Sequence, residues 1–175
     1  MTAWGMPDDE ALDHPFSGFS PEVIEKLRTA HSTTPLHQVL SLSFVPGEEL
    51  GSVVVEMPVA PGAFNGSGNL HGGAIATLVD VASGSAAARA GTFRPGENTL
   101  VTADLHVRYL GRPKGSVVRA DARVMRAGRQ LIVVECRVAD ELGNVIAFAD
   151  FSAMIVPLRQ PLLDAQQADV HVPDL

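Results

Sequence analysis

Asn69-Leu70-His71-Gly72-Gly73-Ala74-Ile75-Ala76-Thr77-Leu78-Val79-Asp80-Val81-Ala82-Ser83-Gly84-Ser85-Ala86-Ala87-Ala88-Arg89-Ala90 holds the longest apolar, alanine-rich run of the chain. Within it Ile75, Leu78, Val79, Ala82 and Ala86 recur at helical spacing, which predicts a helix with a core-facing stripe. Most other positions are also small, including Ala74, Ala76, Ser83, Gly84, Ser85, Ala87 and Ala88. That composition suits a helix surrounded by protein on most sides, because small side chains let a sheet approach closely. Gly91 is the expected stop.

On the N-terminal side, Ser20-Pro21-Glu22 resembles a helix start, with a capping Ser, Pro at the first helical position and an acid near the positive end of the dipole. A helix over about 21–31 is expected, then a break near Thr34-Pro35 and a short helical piece at 35–39. Leu40–Val45 and Ser52–Met57 read as strands around Pro46-Gly47-Glu48-Glu49. Pro61-Gly62 and Asn65-Gly66-Ser67-Gly68 form a loop before the helix. On the C-terminal side, residues 99–109 alternate strictly: Val101, Ala103, Leu105, Val107 and Tyr109 against Thr102, Asp104, His106 and Arg108. Strands follow at about 116–126, 130–139 and 144–156, with hairpin signals at Gly128 and at Glu141-Leu142-Gly143-Asn144. The order is β-β-α-β-β-β-β, an α+β layout with one long helix against a curved antiparallel sheet of about six strands. Such a sheet has more face and edge than one helix covers, so a second subunit is expected against it. Residues 1–34 read as an N-terminal extension with a short helix, 35–157 as the domain, and 158–175 as a flexible tail; Trp4, Phe16 and Phe19 are candidate docking points on the extension.

A chain of 175 residues, 46% hydrophobic, fits one domain plus tails and has enough apolar material for a core. The single cysteine, Cys136, excludes an intrachain disulfide and any multi-cysteine metal site. No window reaches about 18 consecutive apolar residues, and the first ten residues lack a basic start and an apolar run. A cytoplasmic protein without membrane association is therefore expected. The net charge of −7 hides an asymmetry. From Arg108 to Arg129 there are seven bases against one acid, Asp121, while the rest of the chain holds six bases and nineteen acids. A local basic strip on an acidic protein suggests a locally held anionic ligand, or else a solvated arginine-rich strand face. Aromatic content of 5% and the negative total argue against nucleic-acid binding.

Asp80 is the only acid between Asn65 and Arg89, and it sits in mid-helix among Leu78, Val79, Val81 and Ala82. A carboxylate there is costly unless partnered or functional, and desolvation would sharpen it as a base or nucleophile. Equally, it could bond to a neighbouring strand or face solvent. His71-Gly72-Gly73 opens the same helix, where backbone N–H groups lack intrahelical partners. Glycine lets a ligand approach that bare backbone, a good place for a carbonyl oxygen that gains charge during acyl transfer. Ordinary loop glycines would leave the same trace. His71 is counted among the candidate catalytic-site residues, without a proton-transfer role; it could equally be structural, turned inward with its ring N–H on a backbone carbonyl. Gly72 and Asp80 are eight residues apart, roughly 12 Å along a helix axis. A nucleophile must come within about 3 Å of its carbon while the oxyanion donor grips that carbon's oxygen. One helix cannot bring both to one carbonyl, so a shared site needs Asp80 of one subunit against Gly72 of another, as two antiparallel helices around a two-fold axis would give.

On His71-Gly72-Gly73 and Leu78-Val79-Asp80, set in this element order over about residues 35–157, the chain resembles the hotdog-fold acyl-CoA thioesterases of the phenylacetate-pathway type. The resemblance implies that Asp80 is nucleophile or general base and that the Gly72 N–H polarises the thioester carbonyl. It implies that Asn65, six residues before His71, helps position the carbonyl or the water. Thr102, on the strand after the helix, would orient the water or the carboxylate. Coenzyme A contacts are implied for Tyr109–Pro113 and for Arg126–Arg129, with Arg112, Arg126, Gly128 and Arg129 as the candidates. Coenzyme A enters as part of the substrate; no separate cofactor and no metal is expected. A homo-oligomer is expected, a dimer at minimum and a dimer of dimers by family habit. Residues 1–33 extend beyond the family's minimal unit. A non-catalytic acyl-CoA binder on the same fold would keep the basic strip without needing Asp80. A hydratase would need a second acid four or five residues from His71, and none is there.

Overall fold

The computed structural model describes residues 21–45, 52–90, 93–94 and 96–158. Expectations that fall on Trp4, Phe16, Phe19, the Ser20 cap, the turn at 46–49, the Gly91 stop and residues 159–175 lie outside the described residues. The elements are α1 (Pro21–Thr33), α2 (Pro35–Val39), β1 (Ser43–Val45), β2 (Val53–Pro58), α3 (Gly72–Ala90), β3 (Asn98–Tyr109), β4 (Val117–Ala127), β5 (Leu131–Asp140) and β6 (Val145–Pro157). All six strands form one antiparallel, curved sheet in the order β1-β2-β4-β5-β6-β3. The first strand is shorter than expected: Leu40 and Leu42 leave the strand pattern and are buried in the core instead.

The core is the layer between α3 and one face of the sheet. Ala74, Ile75, Leu78, Val79, Ala82, Ser83, Ala86 and Ala87 are the buried positions of α3. The helix lies mainly over β4, with β2 and β5 to either side. Ala120 and Ala122 on β4, and Ala147, Ala149 and Ala153 on β6, are buried on the facing surface. Small residues on both layers bring them close, and Met57, Leu78, Ile132 and Phe151 fill the remaining volume. Burial of this apolar surface, at about 25 cal/mol per Å², is the main stabilising term.

The strand after the helix departs from strict alternation. Its register against β6 shifts between Thr102 and Asp104. Leu105 and Val107 stand opposite Phe151 and Ala149, facing the helix, but beyond the shift it is Leu100 and Thr102 that stand opposite Ile155 and Ala153. Val101, expected on the face of Leu105, instead stands opposite Met154 and is 42% exposed. One inserted residue in a period-two pattern exchanges the faces on either side of it. This bulge turns Thr102 towards α3.

α1 is anchored at its last turn. The His31 ring lies 4.5 Å from that of His37 and 4.6 Å from that of Phe44. The His31 Nε2 is 3.3 Å from the Leu42 carbonyl, and the His37 Nδ1 is 3.2 Å from the His31 carbonyl.

At the end of β5, two carboxylates fasten the segment after β3. Asp140 accepts the N–H groups of Lys114 (2.8 Å), Gly115 (3.3 Å), Leu142 (3.1 Å) and Asn144 (2.8 Å), and also the Asn144 side-chain amide. Glu141 accepts the N–H groups of Ser116 and Val117 and the Ser116 hydroxyl. A Cβ at Gly115 would collide with the Glu141 carboxylate. Burial alone would raise the Asp140 carboxyl, but the bonds from Lys114, Asn144 and Gly115 outweigh it and hold the group at about 2. The Ser116 N–H, then the Glu141 and Val117 N–H groups, bring Glu141 to about 2 as well. Because both groups are depressed in the folded state, their contribution is complete above the ordinary carboxylate range and fades as pH falls towards 2. Asp140→Asn is therefore expected to destabilise the protein above about pH 5, with the gap from wild type closing between about pH 4 and pH 2. Urea unfolding over a pH series checks this; a gap that stays constant down to pH 2 would refute it.

Candidate functional site

The N-terminus of α3 is built by His71. Its Nδ1 accepts the Gly73 N–H at 2.8 Å, which makes the ring the helix cap. The bond assigns the proton to Nε2. His71 is exposed rather than turned inward, and its ring nitrogen accepts rather than donates, which corrects the inward orientation weighed from sequence. Its backbone is engaged at both ends: the N–H donates to Ala63 O at 2.8 Å, and the carbonyl accepts Ile75 N–H at 3.2 Å. The Gly72 N–H is left with no protein acceptor among the described residues, as expected for the first helical position.

Two turns further on, Asp80 is half-buried. Of the alternatives its sequence neighbours left open, the bond to a neighbouring strand is the one formed: its Oδ1 accepts the Thr102 hydroxyl, on β3, at 2.8 Å. Full burial is avoided because β3 is an edge strand, with β6 on one side and, among the described residues, no strand on the other. Asp80 and Thr102 are thus brought together, and Gly72 and Asp80 are held apart by the helix that carries both.

Asn65 sits in the loop just before α3. Its Oδ1 accepts the Ser67 N–H (3.0 Å), the Ser67 hydroxyl (2.8 Å) and the Asn69 N–H (3.1 Å). This Asx turn commits the carbonyl oxygen to the loop and leaves the side-chain amide as the group able to donate. Asn69, in turn, donates its amide to Ser67.

Tyr109, at the end of β3, is the group that sequence reasoning placed only within a coenzyme A segment. Its hydroxyl donates to the Gly72 carbonyl at 2.9 Å. A methyl built on Gly72 would meet the ring at 3.4 Å, an ordinary contact. A one-residue shift in the β3 pattern already obscured which residues face the helix, and a pairing 37 positions apart leaves no local trace.

The basic strip does not fold into one patch. On the sheet face away from α3, Arg119 pairs with Glu56 at 2.6 Å and Arg108 with Asp150 at 2.8 Å. Arg123 stands opposite Glu135 in the register, and Asp121 opposite Arg137. For these positions the solvated-face account holds, since cross-strand acids answer the charge. Arg112, Arg126 and Arg129 are exposed at loops and the β4 end. Gly128 has a structural reason of its own: a Cβ there would lie 2.7 Å from the Leu131 carbonyl, within the hairpin that its N–H closes. Cys136 is fully buried, and burial pushes its thiol up to about 12, far from a reactive thiolate.

Residues 67–147 match the family model of the thioesterase superfamily. A putative esterase of Halobacterium salinarum is 41% identical over 73 residues, covering 42% of this chain and 47% of that protein. The match therefore spans about half the length of that curated relative. A Bacillus halodurans protein, BH2602, solved with CoA, superposes with a TM-score of 0.66 at 28% identity, over 79% of this chain and 89% of that one. PaaI of E. coli, from the phenylacetic acid degradation operon, superposes with a TM-score of 0.65 at 18% identity, over 83% and 96%; at that identity the likeness is one of fold. None of the helices among the described residues is long and apolar enough to cross a membrane.

Loss of the cap is measurable without any substrate. His71→Ala is expected to cost about 1 kcal/mol of stability, and His71→Asn, which restores a capping acceptor, much less. Chemical unfolding of the two variants decides it, and equal stability of His71→Ala and wild type would remove the cap from the account.

Proposed function

We propose that this chain is a hotdog-fold member of the thioesterase superfamily, whose family model matches residues 67–147, and that it hydrolyses the thioester of an acyl- or aryl-acyl-CoA to the free acid and CoA. The observation that carries the reading is the pairing of Asp80 with Thr102 on a helix whose first amide, at Gly72, has no protein acceptor among the described residues. Acyl transfer needs these two functions: a carboxylate to attack or to activate water, and a fixed donor for the oxygen that becomes negative.

The two groups must come from different copies of the chain. Along α3 they are roughly 12 Å apart, too far for one carbonyl. β3 supplies the means of pairing. It is a twelve-residue edge strand whose outer backbone groups face no partner strand among the described residues, and long open edges are normally covered. Antiparallel pairing of two β3 edges around a two-fold axis sets the helices antiparallel and makes two equal sites. A pairing of such dimers is the larger assembly expected.

In each site the thioester oxygen lies on the Gly72 N–H of one protomer, where the helix dipole adds to the stabilisation. Asp80 of the other protomer attacks the carbonyl carbon, giving an acyl–Asp anhydride that water then opens, or takes a proton from the attacking water. In both cases the C–S bond breaks and the CoA thiolate leaves, to be protonated. Thr102 holds one carboxylate oxygen, leaving the other for the reaction. The Asn65 amide is the second donor near the carbonyl. Arg112, Arg126 and Arg129 are the cations proposed for the phosphates of CoA; the structure of the Bacillus halodurans protein with CoA supports that ligand class.

Thiol release from a panel of acyl- and aryl-acyl-CoAs tests the activity. Asp80→Asn should reduce turnover by about 10²- to 10⁴-fold while leaving the fold intact, and undiminished turnover would end the proposal. Binding without release across the panel would mark a non-catalytic acyl-CoA-binding protein instead. Gly72→Ala gives an independent check. Alanine is the better helix former and meets Tyr109 at ordinary distance, so stability should hold or rise. Turnover should nonetheless fall, because the methyl crowds the bare amide.

A further inference from the structure

The peptide planes on both sides of Gly72 are tied down, and by groups that do not belong to the catalytic pair. The His71–Gly72 plane is held through its carbonyl, which accepts Ile75 N–H at 3.2 Å. The Gly72–Gly73 plane is held by two groups beyond the ladder bonds of the helix itself. Its N–H donates to the His71 ring at 2.8 Å, and its carbonyl accepts the Tyr109 hydroxyl at 2.9 Å. Without these ties a Gly-Gly pair at a helix end would be the loosest place in the element, because glycine has the widest backbone freedom and helix termini fray.

We propose that Tyr109 and His71 are positioning residues: by holding the Gly72–Gly73 plane from two sides they limit rotation about Gly72, and so preorganise the Gly72 N–H, on the preceding plane, as the oxyanion donor. The inference rests on the thioesterase reading above and extends it to groups outside the reacting set. Its physical basis is that a donor fixed before the reaction spends no free energy on reorientation as charge develops. The clamp joins three elements. Tyr109 reaches from the end of β3, His71 precedes α3, and the His71 N–H is bonded to Ala63 in the segment that leads into the Asn65 loop. The position of the oxyanion donor is thereby referred to the sheet as well as to its own helix. Tyr109 is 53% exposed, so its hydroxyl bond is not the by-product of a buried ring. The ring lies against Gly72, 3.4 Å from where a Cβ would stand.

Tyr109→Phe removes one hydroxyl and keeps the ring. Steady-state thiol release by the full chain should show kcat lowered about tenfold with KM changed less than about twofold, since the lost term acts on the transition state. His71→Ala should lower kcat similarly, and His71→Asn should restore part of it through the capping acceptor. Backbone ¹⁵N relaxation supplies a readout that needs no substrate. The order parameters of the Gly72 and Gly73 amides should match mid-helix values in the wild type and fall in Tyr109→Phe, with the rest of α3 unchanged. Wild-type kcat in Tyr109→Phe overturns the proposal, as does a change confined to KM, which would place Tyr109 in substrate binding. A loss of order along the whole helix also overturns it, marking a general structural role. Should the wild type release no thiol from any acyl-CoA, the thioesterase reading fails on its own, and the relaxation data alone decide whether the clamp exists.

Discussion

The close seating of α3 on the sheet is the constraint from which the rest follows. Alanines on the helix meet alanines on β4 and β6, so the two layers approach without large side chains between them. A helix held at that distance has little freedom to slide or roll, because the few large residues, Leu78 and Phe151 among them, are fully packed. Its N-terminus and its midpoint are therefore fixed relative to the strands. That fixity lets one hydroxyl on β3 meet Asp80 and another, at the far end of the same strand, meet the Gly72 carbonyl.

The bulge in β3 has an importance out of proportion to its size. With unbroken alternation, Thr102 would point away from the helix and Val101 would fill its place. The inserted residue reverses those positions and costs an apolar side chain its burial, since Val101 is left on the outer face beside Met154. Bulges cluster where a strand must re-aim a side chain, and here the re-aimed side chain is the one that bonds Asp80. The cost is local, while the gain is a polar pair at a sheet edge that is open to a second copy.

Charge is arranged with similar economy. The acids and bases on the outer face answer one another across strands, so the local excess of arginine there is no free cationic surface. Asp140 and Glu141 do different work: they accept backbone N–H groups and bind a turn to the segment carrying Arg112 and Lys114. Arg112, Arg126 and Arg129 stand exposed at loops and the β4 end, apart from that cross-strand pairing.

Much of this was legible in the chain itself. Helical spacing from Ile75 to Ala86, period-two runs and turn residues determined the element order and the α+β class, because hydrophobic periodicity is a local property. The glycines after His71 and the isolated acid at Asp80 marked the region of interest for the same reason: each is unusual among its immediate neighbours. Tertiary structure alone decided which face of β3 Thr102 occupies, that His71 caps the helix with an accepting nitrogen, that Asp80 is only half-buried, and that the arginine strip divides. Each of those outcomes depends on a register shift or on partners tens of residues away, and such partners exist only once the sheet has closed over the helix.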